Sequence, residues 1–286
     1  MALFQLASAS LLGLDHRLPL KEKNGQDALW IHPVPISIFG NVQICLVADG
    51  CGSGAHSEVG AKLGVRLLAS AIARQIERAR ESEESPRHQF DRILEAARQD
   101  VLARVRVLAQ DMGGSFSSTI NEYFLFTTVG AILTDSHSVF FSRGDGLVVV
   151  NGEEIWVEPE DGNAPVYLSY TLVETSLNKR PHELAFQIHR VVHSDQLNHF
   201  LIGTDGLRFL CGAAVLPLPG KDDLVGPLSQ FWKDDRYFHN HDALRRRLSL
   251  INRSHVEPDW DGKRLVMHHG HLKDDVALIV GRRSHE

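Results

Sequence analysis

Cysteine is scarce: three in 286 residues, at positions 45, 51 and 211. That is too few for a disulfide framework, and none stands at Cys-x-x-Cys spacing, so neither a structural zinc site nor a dithiol redox motif is indicated. Cys45 lies inside an apolar run and reads as a core residue. Positive charge is also short, with 30 Lys and Arg against 36 Asp and Glu and a net charge of −6. The balance argues against nucleic acid as a partner, since non-specific binding needs a basic surface. It leaves room for a phosphorylated partner held by a local basic or metal site. Long apolar runs are missing as well. The opening stretch, MALFQLASASLLGLDH, lacks the basic start of a signal peptide and is too short to span a bilayer, so it reads as a strand. A cytoplasmic location without membrane attachment is expected. No repeat, low-complexity tract or linker interrupts a composition that is 43% hydrophobic and 23% charged, ordinary for one α+β domain.

Taken in order, the apolar runs Ile36–Phe39 and Val42–Ala48 flank Gly40-Asn41, a hairpin signal, so antiparallel strands are expected here. Ser57–Arg80 has helical spacing at Val59, Leu63, Leu67 and Ala71, with Ser57 as N-cap. Ser85-Pro86 starts a second helix whose apolar face runs from Phe90 to Leu108. Two consecutive helices after a hairpin suggest a helical layer lying on a sheet. Gly113-Gly114 and Ser115–Thr119 read as a loop. A β pattern runs from Tyr123 to Val150, turns at Asn151-Gly152 and continues through Glu154–Val157. Residues 158–165 read as a loop and 167–173, YLSYTLV, as strand-like. Residues 183–193 and 199–203 read as strands, 206–238 as short helices and loops, His241–Asn252 as an amphipathic helix, and the chain closes on a strand.

Four acids share one kind of position, at a turn beside an apolar strand: Asp27, Asp49, Asp205 and Asp274. In VADGC and GTDGL the acid follows a β-type run and precedes glycine. Like charges gathered at one sheet end raise each other's pKa unless something neutralises them. Divalent cations would do so, and oxygen-only ligands favour Mg²⁺ or Mn²⁺ over zinc.

These turns resemble those of the metal-dependent type 2C serine/threonine phosphatase family, in its compact bacterial branch. The resemblance rests on NGQDA (24–28), VADGCGSGAHSEVGA (47–61), FTTVGAIL (126–133), SRGDG (142–146), IGTDGL (202–207) and KDDVALIV (273–280), in family order. It implies a four-layer αββα sandwich of two antiparallel sheets flanked by helix pairs, with residues 1–286 as a single phosphatase-like domain. It also implies two Mn²⁺ or Mg²⁺ ions held by Asp27, Asp49, the Gly50 carbonyl, Asp205 and Asp274. Asp49 would bridge the ions, and Asp49 and Asp205 would be the residues on which catalysis most depends. A bridging water activated by the metals would attack the phosphate in line, with no protein nucleophile.

Three positions depart from the family pattern. Cys51 stands where many relatives carry a histidine proposed as general acid; His56 is a candidate substitute, and a Cys51 nucleophile lacks an evident partner base. Glu22 stands near the place of a phosphate-gripping arginine, with Lys21 and Lys23 beside it as candidate phosphate ligands. Phe209 occupies the place of an acid that helps hold a third metal, to which Asp145 could contribute. His268, His269 and His271 read as an exposed loop or strand edge, Arg245–Arg247 as a solvated helix face, and Phe231-Trp232 as packing. The expected function is hydrolysis of phosphoserine and phosphothreonine in a protein substrate, which a cognate kinase would supply. The alternatives are a catalytically weak or inactive phosphatase-like binding module, and hydrolysis of small phosphate esters on the same site.

Overall fold

The computed structural model describes residues 4–17, 24–80, 83–159, 165–173 and 184–284. Twelve strands are present among these: β1 (Phe4–Leu11), β2 (Ala28–Ser37), β3 (Gly40–Ala48), β4 (Thr128–Leu133), β5 (His137–Arg143), β6 (Gly146–Val150), β7 (Glu153–Val157), β8 (Gln187–His193), β9 (His199–Gly203), β10 (His255–Asp259), β11 (Arg264–His268) and β12 (Val276–Arg283). The helices are α1 (Ser57–Arg78), α2 (Pro86–Asp111), α3 (Phe116–Tyr123), α4 (Leu207–Gly212), α5 (Gln230–Lys233), α6 (Arg236–His239) and α7 (Ala243–Ile251).

Two five-stranded antiparallel sheets form the centre, in the orders β1-β12-β9-β6-β7 and β2-β3-β4-β5-β8. Their central strands are apolar on both faces because both faces are covered: all six residues of β4 and all five of β6 are buried. Cys45, Val47, Phe140, Val148, Phe200 and Ile279 fill the space between the sheets. The outer face of the β3 sheet packs Ile44 and Leu46 against Val65, Leu68 and Ile72 of α1, with α2 alongside. The outer face of the β12 sheet packs Leu147, Leu201 and Leu278 against Leu207, Phe231, Leu244 and Leu248. One flank is therefore a pair of long helices and the other is assembled from the short helices α4 to α7. No helix among the described residues is long and apolar enough to cross a membrane.

Several local expectations change in the structure. Strand β2 runs through Pro33 and Pro35, which it accommodates because it is an edge strand and has a ladder on one side only. Ser115–Thr119 belongs to a helix rather than a loop, since the Ser115 side chain accepts from the Ser118 N–H and caps α3. Ser57 is the first residue of α1 and His56 takes the cap position, because the Ser57 hydroxyl is engaged by Gln26 instead. Residues 168–172 form a 3-10 helix, not a strand, and bury Leu168 against the α1–α2 layer. The hairpin β10–β11 adds two strands that the sequence pattern does not mark; Val256, Trp260, Leu265 and Met267 on it are exposed.

Candidate metal centre

Antiparallel register carries the acids to one end of the sandwich. Asp27 immediately precedes β2 and Asp49 immediately follows β3, and the flanking residues Ala28 and Ala48 are paired directly. Gly203 ends β9 opposite Leu278 of β12 and Leu147 of β6, which brings the segment before Asp205 beside the strand that follows Asp274 and the turn that holds Asp145. Sequence separations of more than two hundred residues thus collapse to one end of the paired sheets.

Two glycines are required by close approach. A Cβ at Gly50 would stand 2.7 Å from the Ser57 carbonyl oxygen, and one at Gly206 would stand 1.9 Å from that of Asp275. Only glycine allows the chain to pass there, which is why both Asp-Gly pairs end their strands so abruptly. The turn after Asp49 is tied down by the Gly50 N–H to the Gln26 carbonyl (3.2 Å), the Cys51 N–H to that of Leu125 (2.9 Å), and the Thr127 N–H to that of Asp49 (2.8 Å).

The carboxylates are held by a polar frame. Thr204 Oγ1 donates to Asp27 Oδ2 at 2.6 Å and accepts the Ala277 N–H at 3.0 Å. Asp275, buried, accepts the backbone N–H groups of Gly13 (2.7 Å) and Gln26 (2.6 Å) and lies 3.0 Å from His16 Nδ1. The Asp275 N–H in turn donates to Asp274 Oδ1 at 2.8 Å. Gln26 Nε2 donates to the Cys51 carbonyl at 3.1 Å and to Ser57 Oγ. Among the described residues, His16, Asp274 and Asp275 bring three potential ligand atoms within 4.8 Å of one another.

Electrostatics mark the cluster as short of positive charge. Burial lifts the Asp27 carboxyl well above the usual range, with the charges of Asp275 and Asp205 adding to it and the Thr204 hydroxyl opposing. Asp49 is lifted by burial and then by Asp27, Asp205 and Asp274. The residue as a whole is half-buried at the end of β3. Asp27 and Asp49 bear directly on each other at the paired strand ends. Burial, Asp145 and Asp274 push Asp205 up to about 6, against Arg208. Asp145 and Asp274 are raised too, each chiefly by burial. Such an oxygen-rich, anionic set suits hard divalent cations and would be relieved by them.

The structure brings together Asp27, Asp49, Asp205 and Asp274, with Asp145 at the margin beside Asp205. Lys21, Glu22 and Lys23 lie outside the described residues. His56 stacks on Tyr123, ring centres 4.9 Å apart. Cys51 is buried with its Sγ 3.1 Å from Ser53 Oγ, and the Tyr167 hydroxyl lies near it. His268 engages Glu257 at 2.7 Å and His271 the Pro217 carbonyl at 2.8 Å. Arg247 is not simply solvated: it donates to the carbonyls of Leu224 and Val225. Thr204, Asp275, Gln26, His16 and Tyr167 were not singled out from the sequence. Thr204, Asp275 and Gln26 stand beside residues that were, but nothing in the pattern marks His16 or Tyr167.

A family model for protein phosphatase 2C matches residues 21–248. The chain belongs to the protein phosphatase 2C family. No curated protein matches it in sequence. Among solved structures it is similar to the serine/threonine phosphatase Stp1 from Staphylococcus aureus, with 14% identity, a TM-score of 0.54 and 99% of this chain covering 96% of that one. It is also similar to the Mycobacterium tuberculosis serine/threonine phosphatase PstP/Ppp, at 14% identity and a TM-score of 0.50, with 99% of this chain covering all (100%) of that chain. A PstP catalytic domain in complex with two manganese ions matches at 13% identity and a TM-score of 0.51, over 98% of this chain and 97% of that one. Identities this low speak to the fold, and the two antiparallel sheets with flanking helices agree with it.

Proposed function

We propose that residues 1–286 act as one metal-dependent phosphatase domain that hydrolyses phosphoserine and phosphothreonine in proteins. Asp27, Asp49, the Gly50 carbonyl, Asp205 and Asp274 would hold two Mn²⁺ or Mg²⁺ ions, and Asp145 a third. The observation that carries this reading is the charge on Asp49: the neighbours bearing on it, Asp27, Asp205 and Asp274, all have its own sign. Paired divalent cations supply phosphate neutralisation and an activated water in such sites. The chain's own contribution is placement. Asp49 leaves a strand end between Asp27 and Asp205, where it can serve both ions. Thr204 fixes the Asp27 carboxyl, and Asp275 fastens the two loops that carry Asp27 and Asp274. The two manganese ions of the PstP catalytic domain support Mn²⁺ as a working choice. The substrate would be a phosphorylated protein produced by a serine/threonine kinase in the same cytoplasm.

The test is hydrolysis of a phosphothreonine peptide with Mn²⁺, Mg²⁺ or EDTA, comparing the intact chain with Asp49→Asn and Asp205→Asn. The expected result is turnover that needs metal and collapses in both variants. No turnover together with no calorimetric Mn²⁺ binding would sink this reading and favour a binding module.

A further inference from the structure

Arg208 lies on the first turn of α4, three residues after Asp205. Its guanidinium carbon stands 4.5 Å from the ring centre of Trp156, and Nη2 donates to Glu158 at 2.7 Å. Trp156 and Glu158 are i and i+2, so they leave the end of edge strand β7 on the same side. From this perch the cation is felt by Asp205 and Asp145 at the metal centre. Its side chain nevertheless remains 43% exposed, and that of Glu158 is 63% exposed.

We propose that Arg208 grips the phosphoryl group of the incoming substrate, with Glu158 holding the guanidinium in waiting; this rests on the phosphatase reading above. Three features support the assignment. Guanidinium presents a planar fork that matches phosphate oxygens in pairs, which a lysine does not. Packing over Trp156 restrains that fork and lowers the ordering needed on binding. An exposed Arg–Glu pair is weak, so a phosphate dianion beside the metal centre can displace Glu158 at small cost.

The test is calorimetric titration of inorganic phosphate into the Mg²⁺-loaded full chain, for the native protein, Arg208→Ala, Arg208→Lys and Glu158→Gln, with Mg²⁺ affinity measured on each. Arg208→Ala is expected to weaken phosphate binding about tenfold or more, the scale of a lost charged hydrogen-bond pair. Arg208→Lys should recover little of it. Glu158→Gln should tighten binding about two- to fivefold by removing the competitor. Mg²⁺ affinity should hold or rise in Arg208→Ala, since a cation near Asp205 has gone. Unchanged phosphate affinity in Arg208→Ala would overturn the proposal, as would weakened Mg²⁺ binding, which would make Arg208 a structural support. Absence of phosphate binding by the native protein overturns it too. The phosphatase reading is judged separately, by metal-dependent turnover in the native chain.

Discussion

Thr204 and Asp27 are 177 residues apart in sequence and joined by a 2.6 Å hydrogen bond inside the core. The hydroxyl is itself oriented by the Ala277 N–H at 3.0 Å, so its proton points at the carboxylate. Thr204→Val keeps the shape and removes the donor. Outer partners of this kind are worth about 10–100-fold in metal affinity when lost. Calorimetry with Mn²⁺ should show that drop for Thr204→Val and near-native affinity for Thr204→Ser. Equal affinities for all three proteins would show that Asp27 needs no such partner.

Asp275 has a different task. Its carboxylate accepts two buried N–H groups, of Gly13 and Gln26, and so fastens the loop after β1 and the residue before Asp27 to the start of β12. Asp275→Ala leaves both donors unpaired, at a cost of about 3 kcal/mol. Asp275→Asn offers only one carbonyl oxygen and should lose roughly half as much. Urea unfolding of the metal-free proteins gives the comparison, and a loss below about 1 kcal/mol for the alanine variant would contradict it.

The acid cluster sets a pH dependence whose sign follows from the raised carboxyls. A carboxyl raised in the folded state is protonated in both states at low pH, so it costs no stability there. As pH climbs past the unfolded value and through the folded one, about 6 for Asp205, the folded state must give up a proton it holds more tightly than the unfolded chain does. Asp27 and Asp49 are displaced in the same direction. Metal-free protein therefore loses this part of its stability between about pH 4 and pH 7. Metal needs the ionised carboxylates, and below about pH 6 it competes with protons. The rise in Tm on adding Mn²⁺ should be larger near pH 7.5 than near pH 5. A shift of equal size at both would mean that these carboxyls do not bind the ion.

Much of this arrangement is legible in the chain because glycine marks it. Asp49-Gly50 and Asp205-Gly206 stand out since a strand delivers each acid and a side chain on the next residue would collide with backbone. The two-sheet layering follows from runs such as TVGAIL and GLVVV, which are too uniformly apolar to face water on either side. What stayed hidden depends on partners distant in sequence. The Gln26 side chain reaches Ser57 and the Cys51 carbonyl, contacts that exist only after β2, β3 and α1 have packed. Residues 167–173 carry apolar residues that fit a strand, yet burial of Tyr167 and Leu168 against the helical layer decides their shape. The exposed β10–β11 hairpin is hidden in the sequence because its period-2 signal is short and interrupted by histidine and proline.

Cys51 gives the sharpest separation between mechanisms. Its thiol is buried one residue beyond Gly50, with Ser53 Oγ 3.1 Å away and the Tyr167 hydroxyl nearby. Neither neighbour is a base able to generate a thiolate, and the carboxylates of the site converge on Asp49 instead. Attack by an activated water requires nothing of the sulfur, and serine can fill its place with similar bonds. Cys51→Ser should therefore retain turnover of a phosphothreonine peptide within about fivefold, a loss of no more than roughly 1 kcal/mol in the barrier. A nucleophilic cysteine would behave otherwise: the serine variant would lose several orders of magnitude, and the native protein would show a burst of released alcohol and a phosphorylated intermediate in quenched samples. Retained activity with no burst leaves the carboxylate cluster as the seat of the chemistry.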